Sequence, residues 1–449
     1  MWYQVCFSFC FVAWVALAGV ATGWSCRTQA DSLYYQGEKA VQQAQRLNRD
    51  LTPLGAERAG NGADIPPWRG GLAMPPLAYK GVGHRRPDPY PDDQPVYQIY
   101  NDNSAQHQLD VTPGVLALLR GSDVQLNVYP TRRTAAAPHF WYDQTYQNLV
   151  QRPDLLTDLT GGVPFPIPSD GSEVLTNMLL RWQGKQFHGF ERLFSVQGND
   201  VEAWPLATRA VFPYAMPVSD RGFDLPEQLR SRTRVSESNH RKAVHWFSWR
   251  ERSLESPFHR QYAVTVESRA VAVEHLLNAS QAPAMLPPSL LMDQPDQYHW
   301  QLVGKRELLV PYNNYRLFDD QPGYKNFLTP SRPQLQRVRF EKHRVWVLDG
   351  VVKGRSRASF GKQVLYVDED SWAPVMIDRY SIAGELVGVG IALLTSAYEV
   401  PAIVAEFQLE FDLQEDRYWF HAMDDSIGLS RDYSRLPVSR NRSLLDTVR

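Results

Sequence analysis

Between Ile403 and Gln414 the chain alternates without a break. Ile403, Ala405, Phe407, Leu409, Phe411 and Leu413 stand against Val404, Glu406, Gln408, Glu410, Asp412 and Gln414. Period-two alternation sends successive side chains to opposite faces, so the run predicts a strand with one face on apolar material and the other in water. At about 3.3 Å per residue it spans roughly 40 Å, longer than a common strand. Antiparallel sheets are the ones that can keep a face wet. The run therefore points to a mainly β (α+β) fold built on a broad, strongly curved antiparallel sheet.

The rest of the chain supplies strands to pair with this one. Trp300 to Val310, Arg337 to Asp349, Lys362 to Val367 and Ala373 to Ser381 read as extended runs, with glycines at 350, 354, 361 and 384 marking turns. Asp368-Glu369-Asp370 falls between two of them as an acidic turn, and Pro374 opens the next strand where no ladder donor is needed. Short turns between consecutive strands imply an antiparallel meander. One helix stands out, with Val174, Leu175, Met178, Leu179 and Trp182 on one face and Asp170 or Ser172 as its cap. Its place is over the open side of the sheet, as ordinary core packing.

With 449 residues, 43% of them hydrophobic, the chain can bury a large core. Its 47 basic and 49 acidic residues nearly cancel, which gives no basic face for nucleic acid. Arg85-Arg86 and Arg132-Arg133 read as solvated loops. Val5 to Ala21 is apolar and runs into small residues, as a secretory leader does, with a short membrane anchor as the alternative. Cleavage after Ala21, Gly23 or Ala30 fits. Cys6, Cys10 and Cys26 all lie in this region, so the mature body would hold no disulfide. Cys26 as an acylated lipoprotein cysteine is a further alternative, although Gly23-Trp24-Ser25 matches that signal poorly. The expected division is a leader over 1–30, a helix and Pro/Gly-rich wrapping segment over 31–72, a single curved-sheet domain over 73–425 and a polar tail over 426–449. The expected location is the periplasm.

No nucleophile elbow, zinc-protease helix, phosphate loop or dinucleotide fingerprint occurs. His240 and His245 are spaced wrongly for two ligands on one helical turn. Asp368, Glu369 and Asp370 suit calcium as a set of oxygens, but a hairpin turn accounts for them, so no metal and no cofactor is expected. What remains is aromatic abundance, with 13 Trp, 21 Tyr and 19 Phe. Aromatic side chains on one face of a wide sheet offer apolar area with a polar handle, which suits an amphipathic ligand. Filling the core is the ordinary alternative for each of them. The candidates are Phe165, Trp182, Tyr312, Tyr315, Trp346, Trp372, Tyr380, Phe407 and Phe411, with Arg316 and Arg344 for a charged head group at the rim.

The Pro/Gly-rich stretch from Leu51 to Leu72 belongs to a larger pattern. It continues through Tyr129-Pro-Thr-Arg-Arg133, Gly161-Gly-Val-Pro-Phe-Pro-Ile-Pro168, the run from Trp300 to Arg316, His343-Arg-Val-Trp-Val347 and Tyr366-Val-Asp-Glu-Asp-Ser-Trp372. In that order these stretches resemble an uncharacterised periplasmic family, domain of unknown function 1329, over almost all of the chain after Asp50. That family is similar, more distantly, to bacterial lipoprotein carriers, whose fold is an incomplete antiparallel barrel closed by helices around an apolar cavity; the resemblance implies for this chain a large, curved, antiparallel incomplete barrel with helices covering its open apolar side. Its members are often encoded beside exporters of the resistance-nodulation-division type. One departure stands between Glu251 and His299. The family has a tyrosine- and arginine-rich strand there, whereas Val264 to Pro288 is rich in Ala, Val, Leu and Pro.

Three functional readings follow. The first is a periplasmic carrier of a hydrophobic or lipid-like molecule without covalent chemistry, serving an envelope exporter or outer-membrane protein. The second is a hydrolase of a hydrophobic substrate, which needs an activated nucleophile or an acid-base pair. The third is an outer-membrane structural protein, since alternating strands also describe that class.

Overall fold

A computed structural model describes residues 40–423, apart from 83, 121–122, 152–160, 216–226, 237–241, 251–259, 268–296, 321–323, 331, 355–357 and 359. The expected leader, the polar tail, His240 and most of Val264 to Pro288 lie outside the described residues. Strands run as β1 (Tyr97–Ile99), β2 (Leu126–Val128), β3 (Gln186–Gln197), β4 (Asp200–Val211), β5 (Glu227–Ser236), β6 (Lys242–Arg250) and β7 (Arg260–Glu267). They continue as β8 (Tyr298–Pro311), β9 (Arg339–Val352), β10 (Lys362–Asp368), β11 (Pro374–Tyr380), β12 (Leu386–Ala397), β13 (Ala402–Asp412) and β14 (Arg417–Met423). Residues 40–44 are also helical, and the further α-helices among the described residues are α1 (Pro113–Arg120), α2 (His139–Gln151) and α3 (Gly171–Leu180).

Among the described residues the strands form one 14-stranded sheet in the order β1-β2-β9-β10-β11-β12-β13-β14-β3-β4-β5-β6-β7, with β8 beside β9. Every pairing is antiparallel except β2 with β9. The expected runs form β8 to β11 and β13; β12 and β14, not marked out in the sequence, complete a meander from β9 to β14, and β3 and β4 are added to its far side. In a flat sheet β8 and β12 would lie about 19 Å apart at the usual strand spacing. Instead they touch, and Asn314, just past β8, donates its backbone N–H to Leu394 O at 2.9 Å. The sheet therefore curls strongly at this end, yet β7 and β8 do not pair and the barrel stays open.

Cross-strand registers define the two faces. Leu393, Phe407 and Ala422 stand opposite one another, as do Ile391, Leu409 and Phe420, and Val389, Phe411 and Tyr418. The segment after β8 lays Phe318, Tyr324 and Phe327 on this apolar face. The Phe318 and Tyr324 rings lie 4.9 and 5.9 Å from Phe407, and Phe327 lies 4.8 Å from Phe420. α1 rests on the same face. A Cβ at Gly114 would stand 2.1 Å from Asp378 Oδ1 and 2.7 Å from Val389 Cγ2, so no larger residue lets the helix backbone approach β11 and β12 this closely. Thr112 caps the helix by accepting the Val115 N–H at 3.1 Å.

The opposite row of β13 departs from expectation. Glu406, Gln408 and Glu410 are buried rather than wet. Alternation reports polarity, and here the charges are neutralised by distant parts of the chain instead of by water. Arg86 pairs with Glu406 and, at 2.5 Å, with Glu399, while Arg379 pairs with Glu410. Arg86, expected in a solvated loop, is thus fully buried. β12 makes room with glycine: a Cβ at Gly390 would meet the Glu410 carboxylate at 2.8 Å and Ile377 at 2.7 Å. β13 also ends two residues early, because Asp412 Oδ1 accepts the N–H groups of Gln414 and Glu415 at 2.9 and 3.0 Å and turns the chain.

α3 forms where its pattern predicts but ends at Leu180, because Arg181 leaves helical geometry, so Trp182 lies beyond the helix. Asp170 caps it, accepting from Ser172 N and Glu173 N at 2.8 and 3.0 Å, and Val174, Leu175 and Met178 are buried. The helix lies against β8 and β9.

Candidate functional site

Stretches far apart in sequence meet around the β10–β11 turn. Arg133 reaches it with both arms of its guanidinium, donating to Asp370 Oδ1 and Oδ2 at 2.6 and 2.8 Å. The same group donates to the backbone oxygens of Glu57, Arg58 and Pro66 at 2.7, 3.2 and 3.3 Å, which holds the wrapping segment down. Arg133 was expected in a solvated loop; its side chain is 3% exposed. Trp372 donates to Leu54 O at 2.9 Å and Trp68 to Ala135 O at 3.0 Å, clamping that segment at two more points. Lys305 pairs with Glu57 at 2.8 Å and with Glu369, and stands 4.6 Å over the Trp346 ring. The irregular backbone of 51–72 is ordered by these side chains, because its prolines give it few ladder bonds of its own.

Beneath the turn lies His343. Its ring stacks on Tyr312 at 4.1 Å, Nε2 is 3.2 Å from Glu341 Oε2, and Nδ1 is 3.6 Å from Asp368 Oδ1. Tyr312 donates to Asp368 Oδ2 at 3.1 Å, and Arg339 holds Glu341 at 2.5 Å. Burial pushes the Asp368 carboxyl up to about 6, with the His343 charge opposing and Asp370 reinforcing the shift. Burial alone would lower His343, but the Glu341 bond and the Asp368 charge outweigh it and hold the ring above its ordinary value. Glu369 is raised by burial against the pull of Lys305. Among the described residues, His343, Asp368 and Asp370 bring one donor atom each within 4.8 Å of one another, a group that could hold a metal ion.

The structure brings Tyr312, Arg344, Trp346 and Trp372 together at this turn, with the two indoles stacked at 6.0 Å. Arg344 donates to Ala59 O at 2.8 Å and reaches Glu307 at 3.3 Å. The other candidates lie elsewhere. Phe407 and Phe411 are in the aromatic pile, Phe411 against Tyr418 at 6.0 Å. Tyr315 accepts the Ser396 N–H at 2.9 Å and stacks on Tyr398 at 5.6 Å. Arg316 is held by Asp88 at 3.3 Å and Asp93 O at 2.8 Å over the Tyr129 ring. Tyr380 is half-buried beside Lys362, its hydroxyl pushed by burial up to about 12. The backbone of Phe165 is bracketed by the Asn177 amide at 2.9 and 2.7 Å.

Trp182 belongs to a separate aromatic group. It donates to Val400 O at 2.6 Å and packs at 5.2 Å from Trp141 and 5.3 Å from Phe140 of α2. Tyr214 stands edge-on to Trp141 at 5.8 Å. Two features set this group apart from the pile on the apolar face. Phe140 is 43% exposed, so the group reaches the surface, and the buried Trp141 Nε1 has no acceptor. Sequence reasoning missed Trp141 and Phe140. The run His139-Phe-Trp-Tyr142 was the available signal.

The family model described as "Protein of unknown function (DUF1329)" matches residues 98–235 and 288–439. The gap between them falls on the stretch where the tyrosine- and arginine-rich strand was missing. "Uncharacterized protein PA3922" from Pseudomonas aeruginosa is 27% identical over 406 residues, 84% of this chain and 87% of that protein. The crystal structure of a DUF1329 family protein from Desulfovibrio piger aligns at a TM-score of 0.35 with 12% identity, over 58% of this chain and 93% of that one. A putative outer membrane lipoprotein-sorting protein domain from Vibrio parahaemolyticus gives 0.34 with 9% identity, over 58% and 94%. A LolA superfamily protein from Nitrosomonas europaea gives 0.32 with 10% identity, over 60% and 96%.

Proposed function

The chain belongs to the DUF1329 family of proteins of unknown function, and from that premise we propose that it is a binding protein that carries a hydrophobic or lipid-like molecule across the periplasm. The observation that carries this reading is the Trp141 indole. A buried N–H without an acceptor costs about 1–3 kcal/mol, and a guest with an apolar body and one acceptor oxygen would recover it. Phe140, Trp182 and Tyr214 supply the apolar walls. Burial of the guest's tail would contribute about 25 cal/mol per Å². Among the described residues no helix is long and apolar enough to cross a membrane. The molecule would be passed to an exporter of the resistance-nodulation-division type or to an outer-membrane protein.

Of the residues singled out in the sequence, Trp182 is the one we keep in the guest site. The others pack among the chain's own groups and act as its frame, although the Trp346 indole N–H, like that of Trp141, is buried without an acceptor. The hydrolase reading finds a buried acid, Asp368, beside His343 and Ser371. Both His343 nitrogens face carboxylates, however, and Ser371 donates its hydroxyl to Asp368. The Ser371 hydroxyl is thus turned to a carboxylate and not to the imidazole, so the cluster forms no Ser–His pair.

Solvent extraction of the natively purified protein followed by mass spectrometry tests the reading. A lipid-like molecule should be recovered, and delipidated protein titrated with a long-chain fatty acid should show a change in tryptophan emission that Trp141→Phe and Trp182→Ala weaken. Clean extracts together with flat titrations would overturn it.

A further inference from the structure

We propose that His343, Asp368 and Asp370 form a site for a first-row divalent cation, with zinc as the probe. The site is distinct from the aromatic group around Trp141. Its starting point is a mismatch in the polar cluster below the β10–β11 turn. Asp368 Oδ1 is buried and accepts no hydrogen bond, although burying an unpartnered carboxylate oxygen is costly. The group it faces is His343 Nδ1 at 3.6 Å, too far for a hydrogen bond. Two donors each about 2.1 Å from one ion stand roughly 3.0–3.5 Å apart at tetrahedral or octahedral angles, so the 3.6 Å gap is slightly wider than that span and a small closing movement of either side chain would seat an ion between them. Asp370 completes the set, since the three donor atoms lie within 4.8 Å of one another.

The surroundings agree with this assignment. His343 Nε2 stands 3.2 Å from Glu341 Oε2, the arrangement that fixes the tautomer of a ligating imidazole and turns its other nitrogen toward the metal. Glu341 is itself held by Arg339 and by the Asn313 amide at 2.9 Å. Each Asp370 oxygen receives one N–H from Arg133, which leaves further lone pairs for a cation. One imidazole nitrogen with two carboxylates suits zinc or a neighbouring first-row metal, whereas calcium and magnesium take shells of oxygen. Because Arg133 also holds the wrapping segment, an ion here would lock that segment, the turn and β9 together.

The test uses the full chain dialysed against zinc and assayed by elemental mass spectrometry, with thermal unfolding in EDTA and in excess zinc. The expected result is about one zinc per chain and a midpoint that falls in EDTA and is restored by zinc. Asp368→Asn should abolish retention. Glu341→Gln, which leaves all three ligands in place, should weaken zinc affinity about 10–100-fold with an unchanged circular dichroism spectrum. Zinc well below stoichiometry with a midpoint indifferent to EDTA and zinc would overturn the site. So would an NMR spectrum in zinc-containing buffer showing the His343 ring protonated on both nitrogens, because a proton would then fill the place assigned to the ion.

Discussion

The two rows of β13 are buried to the same degree by opposite means. On one side Phe407, Leu409 and Phe411 face Phe420, Phe318 and Tyr324, where many rings share the contact and none is tied to a single partner. On the other side Glu406 and Glu410 depend on Arg86 and Arg379, each supplied from outside the strand. An apolar row degrades in proportion to the volume removed. A buried charge row fails in whole units, because loss of one partner strands the other. The same asymmetry separates the aromatic pile from the cluster around Arg133, where one guanidinium holds a carboxylate and four backbone oxygens.

The largest effect should come from breaking the charge row. Arg379→Ala leaves Glu410 without its cation in a site where burial already raises its pKa, and should cost up to about 5 kcal/mol at neutral pH. A group whose folded pKa is raised contributes least where it is ionised, so this deficit should shrink as pH falls and Glu410 takes up a proton. The double variant Arg379→Met with Glu410→Leu should recover most of the loss. Urea unfolding at pH 5 and pH 8 measures both, and an Arg379→Ala deficit independent of pH would show that the pair is not the cause.

Phe407→Ala probes the other row. It should cost about 3–4 kcal/mol through lost burial and the cavity left behind. Its deficit should be the same at pH 5 and pH 8, since no ionisable partner is exposed by the change. A pH-dependent deficit would mean that the rows are coupled through the strand.

How much of this could be read in advance follows from the same contrast. The apolar row, the hairpins joining β9, β10 and β11, the proline opening β11 and the Asp170 cap were legible because each is decided by neighbours in sequence, whereas β12 and β14 were not marked out. The burial of Glu406 and Glu410 was not, since their counter-charges lie in other segments and alternation carries no information about them. Arg86 and Arg133 were misread for the same reason: a basic pair beside prolines looks solvated until its carboxylates are located. Of the candidate residues, Tyr312, Arg344, Trp346 and Trp372 do meet, but they meet around a polar turn. Trp141 was hidden in an aromatic-rich helix whose partner Tyr214 is distant in sequence.

Gly114→Ala sharpens the comparison at the place where a helix rests on the apolar face. The added methyl would overlap Asp378 and Val389, both in well-packed strands. Overpacking of this kind should cost about 2–3 kcal/mol, read as a lower midpoint in thermal unfolding. A midpoint equal to that of the parent protein would show that α1 can lift from the sheet without penalty.

Asp378 is a carboxylate beneath that helix, and it lies on the apolar side rather than in the charge row. Burial pushes it up to about 6, against hydrogen bonds from Gly114 N–H, the Tyr366 hydroxyl and Thr112. The folded protein therefore keeps a proton on Asp378 over a range where the unfolded chain, titrating near 3.8, has released it. The stability this group contributes is complete below about pH 4 and is lost as pH rises to about 6, by about 3 kcal/mol at most. Asp378→Asn cannot ionise. It should be about 1 kcal/mol less stable than the parent at pH 4, through weaker hydrogen bonding, and the gap should close or reverse by pH 7. Urea midpoints at pH 4, 5, 6 and 7 decide the matter. Parallel curves for the two proteins would place the ionisation of Asp378 outside this window and leave the charge row as the main pH-sensitive feature of β11 and β13.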